Sequence, residues 1–348
     1  MKKILLLMST AMLLFAGCAK EELTSDPQEI GFRAYTFKQT KAPIEGAVYG
    51  ETDPMFRVFA ALVREGDYAV KYASSEKYFE TDVKYDGSAN YKIWRPWSGT
   101  DFIKYYWPME GSLTFVAVSP SDATSAFNNT TATLTVTDFS LSTDVAAQAD
   151  LMYTKIADAD NLTANTTAYT GSTKNGVPVV FNHALSQIRF KAYNKEAAAN
   201  TIQIDNIQLT NVANKGTLTV VNDAVSNVTP SVDGWLTTTD SDADFVSLST
   251  AKETTGTAEE FGLPVMTLPQ TLADDIMLKV TYTMTHINGE DVPDTQKTVS
   301  KKLSEVVGAQ LNANKKYTIT LGIGADEILF SPSVTVWSDT AADERFDF

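Results

Sequence analysis

Apolar and polar residues alternate with a period of two along most of this chain, and helical periodicity is scarce. Ile30, Phe32, Ala34 and Thr36 share one parity and Arg33, Tyr35 and Phe37 the other, which predicts a first strand over residues 29–38. Residues 56–63, 113–119 and 134–139 read as further strands, with turn pairs Asp86-Gly87, Ser98-Gly99 and Glu110-Gly111 between them. Residues 157–175, rich in Asn, Thr, Asp, Ala and Gly, hold no sustained pattern and predict an interdomain connection or a long surface loop. Alternation resumes with Val177, Val179, Phe181, His183 and Leu185 on one face, then passes to Ile188, Phe190 and Ala192. A one-residue slip exchanges the faces of a strand, so a bulge or bend is predicted near Ser186-Gln187. A second slip separates Ile202 and Ile204 from Ile207 and Leu209. Strands recur at 216–221, 278–286, 317–323 and 328–337, and the helix candidates are short, at 195–200 and 301–310.

This pattern predicts an all-β protein. At 348 residues the chain is too long for one compact sandwich, so two β-sandwiches in tandem are expected, at 29–175 and 176–348. Abundant Thr and Ser, 10% aromatics and 20% charged residues suit extracellular β-structure. The formal charge is −15 and no basic run occurs, which argues against nucleic acid as a partner.

Residues 1–17 read as a signal peptide rather than part of the fold. Lys2 and Lys3 precede an apolar run of about a dozen residues, too short for a membrane span of roughly 20. The run ends on Ala16-Gly17-Cys18, which looks like a lipobox, with Phe15 in place of the usual aliphatic residue. Cys18 is the one cysteine of the chain, so no intramolecular disulfide, four-cysteine zinc site or dithiol pair can form. Acylation of Cys18 is therefore expected to anchor the protein to the outer membrane. Loss of residues 1–17 takes away Lys2 and Lys3 and moves the charge to about −17. Residues 18–28 then form a tether, and Lys20-Glu21-Glu22 resembles the acidic signal that sends lipoproteins of the Bacteroidetes to the cell surface.

Catalytic motifs are absent from the sequence. Both histidines, His183 and His286, fall on apolar strand faces, as packed side chains do. No nucleophile elbow, phosphate-binding glycine loop or zinc-protease helix occurs, so neither an enzyme nor a cofactor is expected. Asp150, Asp158 and Asp160, and the group Asp240, Asp242 and Asp244, lack the spacing of a calcium loop and read as solvated acids, so no metal is expected. Trp94 and Trp97, near Tyr105, Tyr106 and Trp107, offer a candidate platform for stacking on sugar rings, although aromatics of this kind more often fill a sandwich core.

Several segments, in order, resemble the fimbrillin family, the pilus-subunit lipoproteins of Bacteroidales of the FimA and Mfa types. They are Tyr105-Tyr106-Trp107-Pro108, Leu113 through Pro120, Asp150-Leu151-Met152-Tyr153 and Val177 through Ser186. Leu268-Pro269-Gln270, Leu311 through Ile319 and Val334-Thr335-Val336-Trp337 complete the set. The resemblance implies two transthyretin-like β-sandwich domains and a lipidated precursor that a trypsin-like protease trims, taking away the first strand. A strand from another pilus subunit then fills the groove, for adhesion to host or bacterial surfaces. Arg33, the first arginine, is the implied cleavage position. Ile328, Phe330, Val334 and Val336, on one parity, mark the candidate donor strand, although such a strand more often closes the second sandwich. Eleven residues follow Trp337, short beside the C-terminal donor extension of a polymerising stalk subunit, which counts against a stalk role and leaves a tip, accessory or anchoring subunit open. The alternative is a non-polymerising surface lipoprotein that binds glycans.

Overall fold

The computed structural model describes residues 29–36, 55–65, 71–88, 93–108, 110–154, 176–221, 224–225, 232–238, 242–286, 295–324 and 327–337. Cys18, the tether and the 157–175 segment lie outside the described residues.

Nine strands come first: β1 (Phe32–Thr36), β2 (Phe56–Val63), β3 (Glu76–Asp86), β4 (Ile93–Trp97), β5 (Ser112–Ser119), β6 (Ser125–Asn128), β7 (Thr133–Ser140), β8 (Met152–Tyr153) and β9 (Val177–His183). Seven of them form one sheet in the order β1-β4-β3-β2-β5-β8-β9, which closes on itself as a barrel. Closure comes from the parallel pairing of β1 with β9. Phe56, Val58, Ala60 and Leu62 of β2, with Leu113, Phe115 and Ala117 of β5, fill the interior around Phe32 and Phe181. The opposite faces of the same strands, Phe59, Ala61, Val63, Val116 and Val118, pack into a second core outside the barrel. Burial on both faces explains why these strands read as nearly continuous apolar runs.

The second core belongs to the rest of the chain. It is built on β10 (Ser186–Asn194), β11 (Asn200–Ala213), β12 (Lys215–Val221), β13 (Ala224–Val225), β14 (Trp235–Thr237), β15 (Asp242–Leu248), β16 (Lys252–Glu253), β17 (Glu259–Thr267) and β18 (Gln270–Thr271). There follow β19 (Met277–His286), β20 (Thr295–Lys302), α1 (Leu303–Val307), β21 (Gln310–Leu311), β22 (Lys315–Ile323) and β23 (Ile328–Val336). One sheet runs β17-β10-β22-β23 and another β15-β11-β19-β20. Their facing residues, including Ile188, Phe190, Ile204, Leu209, Tyr282 and Ile319, make the core. A third sheet, β13-β12-β7-β6, ties the two parts of the chain together by pairing Thr133–Ser140 with Lys215–Val221.

Two slips in the alternation have distinct physical origins. At Ala184-Leu185 the chain leaves the barrel after His183 and enters the second core at Ser186. The strand β9 thus belongs to the barrel although it follows the 175/176 boundary expected from the sequence. The second slip is a register shift between Ile204 and Asn206 against β19, which leaves Asp205 as the extra residue of a bulge. The helix expected at 195–200 is instead a turn leading into β11. Three consecutive alanines favour helix, but so short a segment cannot meet the cost of nucleation.

Candidate functional site

The first strand lies between β9 and β4. Its parallel ladder runs from Phe32 opposite Val177 to Thr36 opposite Phe181, whereas its contact with β4 is the single register pair Phe32 and Trp94. Ahead of it, Ile30 N donates to Tyr105 O at 2.7 Å and Val177 N donates to Gly31 O at 2.6 Å. Ile30, Phe32 and Ala34 are wholly buried. The Phe32 ring meets Phe115 edge-on at 5.3 Å and Phe56 at 6.4 Å. Gly176, at φ +65°, lets the chain cross close over β1, because a Cβ there would lie 2.7 Å from the Phe32 carbonyl carbon. Arg33, half-buried, sits opposite Pro178.

A buried ion-pair network holds the entry to this strand. The Arg95 side chain, 8% exposed, donates from Nη2 to Glu29 Oε1 at 2.6 Å and from Nη1 to Asp86 Oδ2 at 2.7 Å. Lys104 Nζ lies 3.2 Å from the other Glu29 oxygen. Burial alone raises the Asp86 pKa, but hydrogen bonds from Arg95 and Ser88 and the Arg95 charge together outweigh it and hold this carboxyl below its ordinary value.

At the other end of the chain, β23 is the edge strand of its sheet, paired with β22 from Lys315 opposite Val336 to Ile323 opposite Ile328. Ile328, Phe330 and Val336 are half-buried, while Val334 is 51% exposed. Beyond it Trp337 is buried and stacks parallel to the His183 ring at 4.4 Å. His183 Nδ1 is hydrogen-bonded to Asp150 Oδ2 at 2.5 Å. Trp337 N donates to Asn314 O, Asn314 N to Leu185 O, and Ser186 Oγ to Asn312 O. Gln270 lies opposite Leu311 and its side chain accepts from Ala213 N. Five of the segments on which the family resemblance rests therefore meet at one junction between barrel and second core.

The tryptophans do not form a sugar platform. Trp94 is 3% exposed inside the barrel against Phe56 and Tyr85, so neither face of its ring is available. Trp97 is partly buried, with the Phe102 ring against it at 5.0 Å and Lys84 Nζ 4.3 Å above it. Side-chain packing in the core takes up the aromatic surface that exposure would have offered. Asp244 accepts hydrogen bonds from Gln208 and from the Asn211 amide, while Asp158, Asp160, Asp240 and the His286 side chain lie outside the described residues. The Arg95 network itself has no sequence signal beyond a Glu ahead of the first strand, since Glu29 and Arg95 lie 66 residues apart.

A first strand that closes the barrel, and a second β-rich core joined to that barrel through the His183–Trp337 junction, frame the comparison with known proteins. The chain belongs to the fimbrillin-like family, whose model matches residues 58–337. Among solved structures it is similar to a fimbrial protein from Bacteroides vulgatus, at 15% identity and a TM-score of 0.60, covering 89% of this chain and 99% of that one. It is also similar to a putative cell adhesion protein from Bacteroides uniformis, at 14% identity and a TM-score of 0.50, covering 89% and 98%. Comparison with curated protein sequences finds no match.

Proposed function

We propose that this chain is a fimbrial subunit, structural, accessory or at the tip, which reaches the cell surface as a lipoprotein acylated on Cys18 and assembles with other pilus subunits by strand exchange. Membership of the fimbrillin-like family supports the fimbrial role. Among the described residues no helix is long and apolar enough to cross a membrane. The observation that carries the assembly reading is the seat of β1. It closes the barrel through one parallel ladder and one register pair to β4, and it places Ile30, Phe32 and Ala34 in the interior. Cleavage after Arg33 would release the strand up to Arg33, and with Ala34–Thr36 swung out an apolar slot opens between two unpaired strand edges, which an incoming strand of alternating apolar residues repairs. Arg33 lies within this strand, so a protease reaches it when β1 unseats. The strand β23, an edge strand with largely exposed side chains, is the candidate donor.

Mass spectrometry of surface-exposed protein tests this reading. A mature chain beginning at Ala34, together with ladders in unboiled surface fractions, is expected. A mature chain beginning at Cys18, with no ladder, refutes it.

A further inference from the structure

The sheet β17-β10-β22-β23 turns one face to the second core and the other to solvent. Ile188, Phe190 and Ala192 of β10, with Tyr317, Ile319 and Leu321 of β22, are buried on the core side. The alternate residues point the other way and are half-buried: Arg189, Lys191 and Tyr193 on β10, and Lys316, Thr318 and Thr320 on β22. In register, Lys316 stands opposite Gln187, Thr318 opposite Arg189, Thr320 opposite Lys191 and Gly322 opposite Tyr193. Outward residues repeat about every 6.7 Å along a strand, and neighbouring strands lie about 4.8 Å apart. Lys316, Arg189 and Lys191 therefore form a line of cations in steps of roughly 7–8 Å, and Tyr193 comes next after Lys191.

Each member of the line is set up for an anionic guest. Arg189 Nε donates to Gln187 Oε1 at 2.7 Å, which fixes the plane of a guanidinium, the group best matched to an oxyanion. Lys191 meets Glu260 at 3.6 Å with both side chains exposed, a pair of small value that an incoming anion can displace. Tyr193 lies down on the backbone of β22, because residue 322 is glycine: a Cβ there would stand 2.6 Å from Tyr193 Oη. Thr318 and Thr320, with Ser333 and Ser331 opposite them on β23, keep the surface between flat and rich in hydroxyls.

We propose that this outer face of β10 and β22 binds an acidic polysaccharide, with Lys316, Arg189 and Lys191 paired to successive carboxylate or sulfate groups and Tyr193 stacked on a sugar ring. The formal charge of the chain, −15, opposes any polyanion at long range. Screening acts over about 8 Å at physiological ionic strength, so a chain lying on this face feels the cations beneath it rather than the molecule as a whole. The same cations would suit an acidic protein surface, but a stable protein interface needs apolar anchors at its centre, and here the centre is threonine and serine. The cations and Tyr193 stand on β10 and β22, which pair with each other over nine residues, so the face does not depend on whether β1 or β23 is exchanged.

The test measures binding of the full chain to immobilised dextran sulfate, polygalacturonate and neutral dextran. One variant combines Arg189→Gln, Lys191→Gln and Lys316→Gln, and a control removes the same charge from exposed barrel positions by Arg64→Gln, Lys71→Gln and Lys77→Gln. Urea midpoints establish that both variants remain folded. Expected are salt-sensitive binding to the sulfated or the carboxylated chain, whichever anion the face prefers, and none to neutral dextran. The face variant should lose at least about tenfold in affinity and the control about twofold or less. Tyr193→Ser should cost about three- to tenfold. Binding to neither acidic chain, or equal losses in the face variant and the control, overturns the proposal, and an unchanged affinity in Tyr193→Ser overturns the stacking. Unchanged polysaccharide binding in the face variant, with self-association lost in sedimentation, shows a contact between copies instead. Each of these failures leaves the fimbrial reading standing, because that reading rests on β1 and on the family.

Discussion

Replacing Phe32 by Ala attacks the seat of β1 at its most buried point. Phe32 is wholly buried, with Phe115 and Phe56 packed edge-on against its ring, and the barrel cannot collapse around the void without moving strands on both sides. Truncation of a buried Phe in such a site costs about 3–5 kcal/mol. If β1 opens locally, none of that packing survives in the open form, so the whole cost falls on the closed state. At 1.4 kcal/mol per factor of ten, the population with β1 unseated rises about a hundredfold to a few thousandfold. Cleavage by an arginine-specific protease under native conditions reports this population when reclosing outpaces cleavage. The rate of cutting after Arg33 is expected to rise by at least about a hundredfold in Phe32→Ala. Arg57 supplies the internal control, because it lies in β2 in the middle of the barrel sheet and is exposed to a protease when the barrel itself unfolds. An unchanged rate at Arg33 refutes the view that Phe32 holds the strand. A rise at Arg33 matched step for step at Arg57 refutes the view that β1 opens as a separate unit.

Asp86, whose pKa is depressed, contributes stability that is fully present above the unfolded carboxyl value of about 3.9 and is lost as the pH falls through its lower folded value. Urea midpoints measured downward from pH 7 should therefore fall less steeply below about pH 4 in Asp86→Asn than in the wild type; identical slopes contradict the network. Gly176→Ala puts a Cβ 2.7 Å from the Phe32 backbone at a residue with φ +65°, so a loss of about 1–3 kcal/mol is expected in chemical unfolding. A stability change near zero contradicts the close crossing of β9 over β1. Trp337→Ala removes a buried ring stacked on His183 and is expected to cost about 3–5 kcal/mol in the same assay.

Strands buried on both faces, such as Phe56–Val63, were legible because few structures other than a core strand accept eight nearly continuous apolar residues. Several other strands were not, and three of them show why. In Glu76–Asp86 the inward residues Phe79, Thr81 and Val83 are interleaved with charges, and in Ile93–Trp97 Pro96 disguises the strand as an aromatic cluster. Pro264 and Gly262 hide Glu259–Thr267, an edge strand whose outer side tolerates proline. The first strand and its buried parity were readable from alternation, whereas the partners that lock it were not. Arg95 finds Asp86 across neighbouring strands and Glu29 across the barrel seam, and closure of a sheet is a property of pairing order, which a single strand's pattern does not carry.

The direction of β1 has a mechanical consequence for the proposed assembly. An incoming strand that copies its course lies parallel to β9, hydrogen-bonded along the slot. A pull along that strand loads the ladder in shear, so its bonds and its buried side chains resist together, whereas a pull across it would open them one at a time. On the acceptor side the load passes from the slot into β9, which ends at His183 and continues through Ala184 and Leu185 into β10. This is the junction where Asp150 holds the His183 ring, where Trp235 Nε1 donates to Ala184 O, and where Asn314 N donates to Leu185 O. From β10 the path crosses a nine-residue parallel register to β22, the strand that precedes the proposed donor segment β23. Two of the segments that carry the family resemblance, Val177 through Ser186 and Leu311 through Ile319, thus lie along the line by which one subunit would hold the next in the proposed assembly.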